Sequence, residues 1–294
     1  MERIIHKILY FLFLFIGWIS SPLSKKSRLK FGRFIGKIMM ILSPERVKIT
    51  KENLQFAFPD KNKHWIDLTT RKTFDNLGII LVEVSILGKL EKKDIFDYIS
   101  YENLDIIKDT MKLNRGLLLL SAHFGNWEYT GISIGLYLDR LVLIPVKTQK
   151  NHYIDKLINS FRTKWGNKVV PMDKSAFQFI KQIRSGGIVG MLADQSATEN
   201  KDIFIPFFGR DVATYEAPAE LALKFKIPII MGLAVRQDDG HYIVKTKKID
   251  IDDLEYNKEG VKELTYRHVK HLESVIREHP EMWLWQHRRW KHTK

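Results

Sequence analysis

The stretch GLLLLSAHFGNWEY, residues 116–129, decides the fold. It opens with an apolar run of the kind that forms a buried strand. His123 follows the run and therefore lies at the carboxyl end of the predicted strand. Gly125 permits a tight backbone turn, and Asn126 is a good N-cap for a helix that carries Glu128. In open α/β sheets, ligands bind at this edge of the sheet, so the stretch predicts a site as well as a fold.

Segments of strand and helical character alternate on both sides of this stretch. Further strands are predicted at residues 141–146, 168–171, 188–192, 229–235 and 242–245. Helices are predicted at residues 62–90, 151–165, 175–184, 218–226 and 261–278. Such alternation is typical of the α/β class, so we expect a mixed, largely parallel central sheet flanked by helices.

The amino-terminal part of the chain is apolar and basic. Residues 8–19 read ILYFLFLFIGWI, an uncharged run of 12 that is short of the ~20 residues needed to cross a bilayer upright. Residues 31–42 have the spacing of a basic amphipathic helix. We expect residues 1–45 to form a membrane anchor or interfacial segment and residues 46–294 to form the main domain. A cleaved signal peptide and a core helix of a soluble domain are the alternatives.

The overall composition restricts the chemistry and the partners. The 294 residues include no cysteine, which excludes disulfides, thiolate metal sites and a cysteine nucleophile. The 48 Lys+Arg outnumber the 34 Asp+Glu, and the net charge of +14 favours anionic partners such as lipid headgroups, acidic proteins or nucleic acid. The 12% of aromatic residues favours a membrane interface over a nucleic-acid groove.

His123 and Glu128 are the first candidates for catalysis. A neutral imidazole is a good base near pH 7, and a carboxylate can fix its tautomer and stabilise the imidazolium. At a strand–loop–helix corner we expect Glu128 to accept a hydrogen bond from one ring nitrogen while the other takes a proton from the substrate. A histidine and a glutamate at this spacing also occur by chance. The alternative to catalysis is therefore that His123 is an ordinary capped or solvated histidine.

Four sequence blocks resemble one known family. They are SAHFGNWE at 121–128, LADQ at 192–195 followed by IPFFGR at 205–210, PEMWLWQHRRWK at 280–291, and KENLQFAFPD at 51–60. Together they resemble the bacterial lipid A biosynthesis acyltransferase family, the late lauroyl/myristoyl-type transferases of the lysophospholipid acyltransferase superfamily. The first block alone is shared by the whole superfamily, whereas the combination is much more specific.

The resemblance implies a reaction and a location. In that family an acyl chain moves from a thioester, usually on acyl carrier protein, to a hydroxyl of a lipid A precursor. It implies His123 as the general base and Glu128 as its orienting partner, with no metal and no cofactor. It also implies that residues 46–294 are an acyltransferase domain at the cytoplasmic face of the bacterial inner membrane. The basic cluster at residues 25–30 agrees with that side of the membrane.

Further residues are candidates for binding substrate. Lys147 stands where the family often has arginine, and lysine keeps the charge but lacks the bidentate fork. Arg162 and Arg210 are alternative cations for the same role. The full set of substrate-binding candidates is Lys147, Arg162, Asp194, Gln195, Phe208, Gly209 and Arg210.

Two other functions stay open from the sequence. The acceptor could be another membrane lipid, such as a lysophospholipid, a glycolipid or an aminolipid. A basic nucleic-acid-binding protein is the alternative from another class, in which Trp283, Trp285 and Trp290 would stack on bases. In the acyltransferase reading there is no nucleic-acid partner, and these tryptophans are structural or interfacial.

Overall fold

A computed structural model describes residues 2–174, 176–195 and 203–293. The strands in those residues are β1 (Ile99–Tyr101), β2 (Leu117–Ser121), β3 (Val142–Val146), β4 (Lys168–Pro171), β5 (Ile188–Leu192), β6 (Ile203–Phe207), β7 (Arg210–Thr214), β8 (Ile229–Arg236) and β9 (Tyr242–Ile249). Seven of these described strands form one sheet in the order β1-β9-β8-β2-β5-β3-β4. Neighbouring strands are parallel except β8 and β9, so the predicted mixed, largely parallel sheet is confirmed.

Helices cover both faces of the sheet. They are α1 (Glu2–Ser20), α2 (Lys25–Leu42), α3 (Pro44–Ala57), α4 (Lys63–Ser85), α5 (Lys92–Tyr98), α6 (Leu104–Lys112), α7 (Trp127–Leu138), α8 (His152–Thr163), α9 (Ala176–Arg184), α10 (Ala217–Phe225) and α11 (Lys258–Glu278). Along β2, Leu118 and Leu120 pack into one apolar cluster, while Leu117 packs into another on the opposite face. This alternation is the period of two expected of a strand that is buried on both sides.

The structure adds elements that the sequence pattern did not predict. The predicted helix at residues 62–90 ends at Ser85, and α5, α6 and β1 follow as short separate elements. Strands β6 and β7 form an antiparallel hairpin outside the main sheet. Strand β1 has three residues and α5 has seven, which is too few to show a hydrophobic period.

Helices α1 and α2 pack on the main domain rather than standing apart from it. Glycines allow α2 to lie directly against α4: a Cβ atom at Gly78 would be 2.2 Å from the carbonyl oxygen of Gly32, closer than atoms can approach. Within the described residues, α1 is the one helix that is long and apolar enough to cross a membrane, judged by length and composition. The predicted apolar and amphipathic helices are therefore present, and both are longer than expected.

The carboxy-terminal tryptophans are buried. Trp283, Trp285 and Trp290 lie in the largest apolar cluster, where their rings pack on one another and on Phe207. Base stacking needs an accessible ring face, so the nucleic-acid interpretation of these tryptophans is wrong. Their role is structural.

Candidate active site

The corner after β2 presents His123 at the carboxyl edge of the sheet. Strand β2 ends at Ser121, and Gly125 then turns the chain with a φ of 54°. A side chain at Gly125 would meet the carbonyl oxygen of Ala234, since an added Cβ atom would lie 1.8 Å from it. The Oδ1 atom of Asn126 accepts a hydrogen bond of 3.0 Å from the backbone N–H of Tyr129, which starts α7. The predicted strand end, glycine turn and helix cap are confirmed.

Asp194 orients His123. Strands β2 and β5 are parallel neighbours and pair Ser121 with Leu192, so Asp194 and His123 each follow the end of adjacent strands. Oδ1 of Asp194 lies 2.8 Å from Nδ1 of His123, and Oδ2 accepts the backbone N–H of His123 at 3.0 Å. The carboxylate is almost fully buried, with 3% of its residue surface exposed. Asp194, named from the sequence only as a substrate-binding candidate, therefore lies at the same sheet edge as His123.

Glu128 has a different partner from the one we predicted. Its two oxygens accept hydrogen bonds from Arg162, from Nε at 2.8 Å and from Nη2 at 2.5 Å. The expectation that Glu128 holds an imidazole nitrogen of His123 is therefore wrong for this structure. The reason is geometric: the aspartate on the next strand reaches Nδ1, while Glu128 lies on the first turn of α7 beside α8, which carries Arg162.

The protonation of His123 follows from these neighbours. Burial lowers the pKa of His123, but the charge and the hydrogen bond of Asp194 outweigh burial and raise the pKa above its usual range. Burial raises the pKa of Asp194, but the attraction and hydrogen bonding of His123 and a hydrogen bond from Trp283 outweigh burial and lower it. Asp194 is thus an ionised acceptor near neutral pH, which assigns the proton of a neutral His123 to Nδ1 and leaves Nε2 as the free base.

The pair of Glu128 and Arg162 modulates the same imidazole. The negative charge of Glu128 raises the pKa of His123, and the positive charge of Arg162 lowers it, both less strongly than Asp194 raises it. Arg162 also donates from Nη1 to Asn159 at 3.0 Å, so its guanidinium is fixed in orientation. The buried Glu128 and the half-buried Arg162 therefore lie near His123 as a compensated ion pair.

The second ring nitrogen of His123 lies beside Gln195 rather than Asp194. Nε2 lies 3.3 Å from the side-chain nitrogen of Gln195, the last described residue before a gap at 196–202. The ring of Trp127 contacts the imidazole edge-on, with 5.2 Å between ring centroids. The side chain of His123 is 20% exposed.

The carboxy-terminal segment forms hydrogen bonds with the loop that carries His123. The backbone N–H of Gly125 donates to the carbonyl of Met282 at 2.9 Å, and the N–H of Leu284 donates to the carbonyl of His123 at 3.0 Å. Between them, Nε1 of Trp283 donates to Oδ2 of Asp194 at 2.9 Å. The sequence analysis missed this role of Trp283, and the only available signal was its place in the carboxy-terminal block.

A buried carboxylate supports the helix cap, and the sequence analysis missed it as well. Oε2 of Glu83 accepts hydrogen bonds of 2.8 Å from Nδ2 of Asn126 and from the hydroxyl of Tyr242. Burial raises the pKa of Glu83, against the attraction of Arg236. Glu83 lies within a helical apolar pattern on α4, where a single acidic residue carries no sequence signal of its own.

The other predicted substrate-binding residues lie further out. Lys147 is exposed just after β3, at the same sheet edge as His123. Phe208 and Gly209 form the turn between β6 and β7, and the ring of Phe208 is buried against those of Phe58 and Trp285. The exposed guanidinium of Arg210 lies 4.1 Å from the ring centroid of Phe56.

The described residues contain no group of three or more His, Asp or Glu placed to hold a metal ion. The site consists instead of one imidazole, one buried carboxylate that orients it, and an adjacent ion pair. This arrangement supports proton transfer at Nε2 of His123.

Comparison with protein families identifies the chain. The model of the family described as "Bacterial lipid A biosynthesis acyltransferase" matches residues 2–292. The chain belongs to this family. It is therefore an acyltransferase, and the resemblance of the four blocks is confirmed.

Similar proteins of this acyltransferase family occur in two bacteria. The lipid A biosynthesis palmitoleoyltransferase of Escherichia coli (strain K12) is 24% identical over 263 residues, which cover 88% of this chain and 83% of that protein. The lipid A biosynthesis lauroyltransferase of the same strain is 23% identical over 280 residues, 93% of this chain and 88% of that protein. A lipid A biosynthesis acyltransferase of Haemophilus influenzae is 21% identical over 283 residues, 94% of this chain and 84% of that protein.

Proposed function

We propose that this acyltransferase moves a fatty acyl chain from an acyl thioester on acyl carrier protein to a hydroxyl of a lipid A precursor, with His123 as general base. The observation that carries the proposal is the orientation of His123 by Asp194, which leaves Nε2 as the unprotonated nitrogen of the neutral ring. The names of the relatives support a lipid A precursor as acceptor.

The proposed chemistry needs one base and no covalent enzyme intermediate. Nε2 of His123 takes the proton of the acceptor hydroxyl while that oxygen attacks the thioester carbonyl. The C–S bond then breaks, and the imidazolium returns the proton to the leaving thiolate, so that an ester and a free thiol are formed. Asp194 stabilises the imidazolium between these steps, as a buried carboxylate does in other histidine-based acyl transfers.

Glu128 and Arg162 have a supporting role in this proposal. The two side chains are hydrogen-bonded to each other, so neither is free to bind substrate. Their opposite charges beside His123 adjust its pKa, and the pair fixes α7 against α8. We propose Glu128 as part of the catalytic centre through this effect rather than as a direct partner of the imidazole.

Charge supports the proposed partners and location. The net charge of +14 attracts an acidic carrier protein and the anionic headgroups of a membrane. We place the enzyme at the cytoplasmic face of the bacterial inner membrane, with residues 1–45 in contact with the membrane. Lys147 and Arg210 are exposed cations that could bind phosphate groups of the acceptor, and Gln195 could contact the reacting groups beside Nε2.

Purified wild type and His123→Ala test the proposal when each is given acyl carrier protein thioesters and a lipid A precursor, with products read by mass spectrometry. General-base catalysis contributes about 10²- to 10⁴-fold, so we expect a loss of that size. His152→Ala is the matched control, because His152 is exposed and stacks on Tyr153 at the start of α8. Full activity of His123→Ala would exclude the mechanism. Transfer to a lysophospholipid, glycolipid or aminolipid in place of the lipid A precursor would exclude the acceptor.

A further inference from the structure

The carboxy-terminal segment carries a buried positive charge. The charge is that of Arg289, a residue with only 1% of its surface exposed. Its Nη1 atom donates a hydrogen bond of 2.7 Å to the carbonyl oxygen of Ala213, and Nη2 donates one of 2.8 Å to the hydroxyl oxygen of Thr214. Both acceptors are neutral, and no carboxylate in the described residues forms an ion pair with Arg289. Charged side chains are almost never fully buried without a partner, so this charge needs compensation from further away.

Aromatic rings connect Arg289 to the active site. The guanidinium carbon lies 5.3 Å from the ring centroid of Phe207, whose centroid lies 5.5 Å from that of Trp283. Nε1 of Trp283 in turn donates to Oδ2 of Asp194 at 2.9 Å. All four side chains are buried. Because these rings exclude water, the charges of Arg289 and Asp194 attract each other more strongly than they would at the surface.

Asp194 is the anion that acts on Arg289. Burial lowers the pKa of Arg289 to about 10, and the negative charge of Asp194 works against that shift. A pKa of about 10 still leaves the guanidinium charged near neutral pH. Since the attraction between two charges is mutual, Arg289 in turn favours the ionised form of Asp194.

Two histidines also face Arg289, and neither neutralises its charge. His268 on α11 is buried, and burial together with the positive charge of Arg289 lowers its pKa to about 4. Burial lowers the pKa of His287 as well, against the attraction of Asp194. The positive charges of His123 and Arg289 lower it further. Both histidines are therefore neutral near neutral pH, which leaves Asp194 as the counter-charge of Arg289.

The charge of Arg289 bears on the proton balance of the active site. Asp194 and His123 are hydrogen-bonded to each other, so they gain and lose a proton as a pair. The pair carries one negative charge when it is ready to accept a proton and none after it has accepted one. A fixed cation nearby stabilises the negative form and lowers the proton affinity of the pair.

From these contacts we propose that Arg289 is a positioning residue of the reaction, the buried counter-cation that keeps the pair of Asp194 and His123 in its proton-accepting form near neutral pH. Arg289 contacts no reacting atom in this role and acts through Asp194. Because His123 is taken as the general base, this role rests on the proposed function. The alternative is a structural role in which Arg289 only links β7 to the carboxy-terminal segment.

Two neutral variants and one charged variant separate these roles. Arg289→Gln keeps an amide donor without the charge, Arg289→Met fills the space with an apolar side chain, and Arg289→Lys keeps the charge. Thr214→Val removes one hydrogen bond of Arg289 and leaves its charge in place. Arg288→Met is the matched control, because Arg288 is the exposed arginine at the preceding position. Each full-length protein is assayed for acyl transfer from acyl carrier protein thioesters to a lipid A precursor across a pH series, below its melting transition.

We expect the acid limb of kcat/KM to move to higher pH by about one unit in both neutral variants. This is the coupling of charges roughly 10 Å apart at an effective dielectric constant of about 20, and below the limb it lowers kcat/KM about tenfold. The limb should stay in place in Arg289→Lys, Thr214→Val and Arg288→Met. An unmoved limb in a folded neutral variant would overturn the proposal. An equal shift in Arg289→Lys would also overturn it, because the effect would then come from lost contacts.

An NMR titration of His123 distinguishes this role from the proposed function. The imidazole signals of isotope-labelled wild type and Arg289→Gln are followed with pH in the absence of substrate, and the signal of His123 is assigned by its loss in His123→Ala. A higher apparent pKa of His123 in Arg289→Gln, without detectable acyl transfer in the wild type, would support the coupling and count against the proposed function alone. An unchanged pKa would overturn the role of Arg289 whatever the activity.

Discussion

Replacing Asp194 by asparagine is the most informative perturbation of the site. Oδ2 of Asp194 accepts two N–H groups, from the backbone of His123 and from Nε1 of Trp283. In Asp194→Asn, the amide oxygen takes the place of Oδ2, because an NH₂ group there would face the two N–H donors of His123 and Trp283. The NH₂ group then points at Nδ1 of His123, which becomes an acceptor, and the imidazole proton moves to Nε2. In Asp194→Asn, the nitrogen that should accept the substrate proton is therefore already protonated.

The size of the effect follows from the cost of reversing the amide. Rotating the asparagine amide by 180° restores the tautomer in which Nδ1 of His123 carries the proton. The rotation leaves two buried N–H donors unsatisfied, which costs about 1–3 kcal/mol each. The total of about 2–6 kcal/mol corresponds to a loss between about thirtyfold and about twenty-thousand-fold, at about 1.4 kcal/mol per factor of ten. We expect the loss in kcat, because the substrate still binds.

The pH dependence gives a second signature. A general base must be unprotonated, so activity falls as the pH drops through the pKa of His123. Asp194 raises that pKa above its ordinary value of 6.5, which places the acid limb of the wild-type kcat/KM profile above pH 6.5. Without the carboxylate, burial dominates and lowers the pKa of His123, so the acid limb of Asp194→Asn moves to lower pH.

The assay is acyl transfer across a pH series for the wild type, Asp194→Asn and the control Asp109→Asn. Asp109 is an exposed aspartate that pairs with Lys112 on α6, so the control makes the same chemical change on the surface. Thermal melting of each protein separates lost folding from lost activity. A well-folded Asp194→Asn with wild-type kcat and an unmoved acid limb would refute the orienting role of Asp194.

The ion pair and the glycine contact give two further predictions. Arg162→Gln removes a positive charge that lowers the pKa of His123, so we expect the acid limb of the kcat/KM profile to move to higher pH, opposite to its shift in Asp194→Asn. The control Arg140→Gln changes an exposed arginine and should leave the acid limb in place. A shift of the Arg162→Gln profile to lower pH would contradict this reasoning. Gly78→Ala forces α2 away from α4 and costs about 1–3 kcal/mol, seen as a melting temperature several degrees lower. Gly131→Ala on α7 is the control, because an added Cβ atom would lie 4.0 Å from its nearest neighbour, and we expect it to stabilise the protein by about 0.4–1 kcal/mol. Equal melting temperatures of the Gly78→Ala and Gly131→Ala variants would exclude the close contact between α2 and α4.

Local sequence predicted much of this protein. The apolar run before His123, the tight turn at Gly125 and the cap at Asn126 depend on residues within a few positions of one another, and all three were predicted correctly. The α/β class followed from the alternation of two hydrophobic periods. The elements β1 and α5 were not predicted because three and seven residues are too few to show a hydrophobic period.

The local sequence is enough to predict that His123 lies at the carboxyl end of a strand, beside the start of a helix. Which carboxylate orients His123 depends on how the strands pair. Glu128 is near in sequence, but the parallel pairing of β2 with β5 brings Asp194 from 71 residues away to within 2.8 Å of Nδ1. The pairing of strands and the packing of Trp283 depend on burial of the whole core. The five-residue spacing of His123 and Glu128 carries no information about that burial.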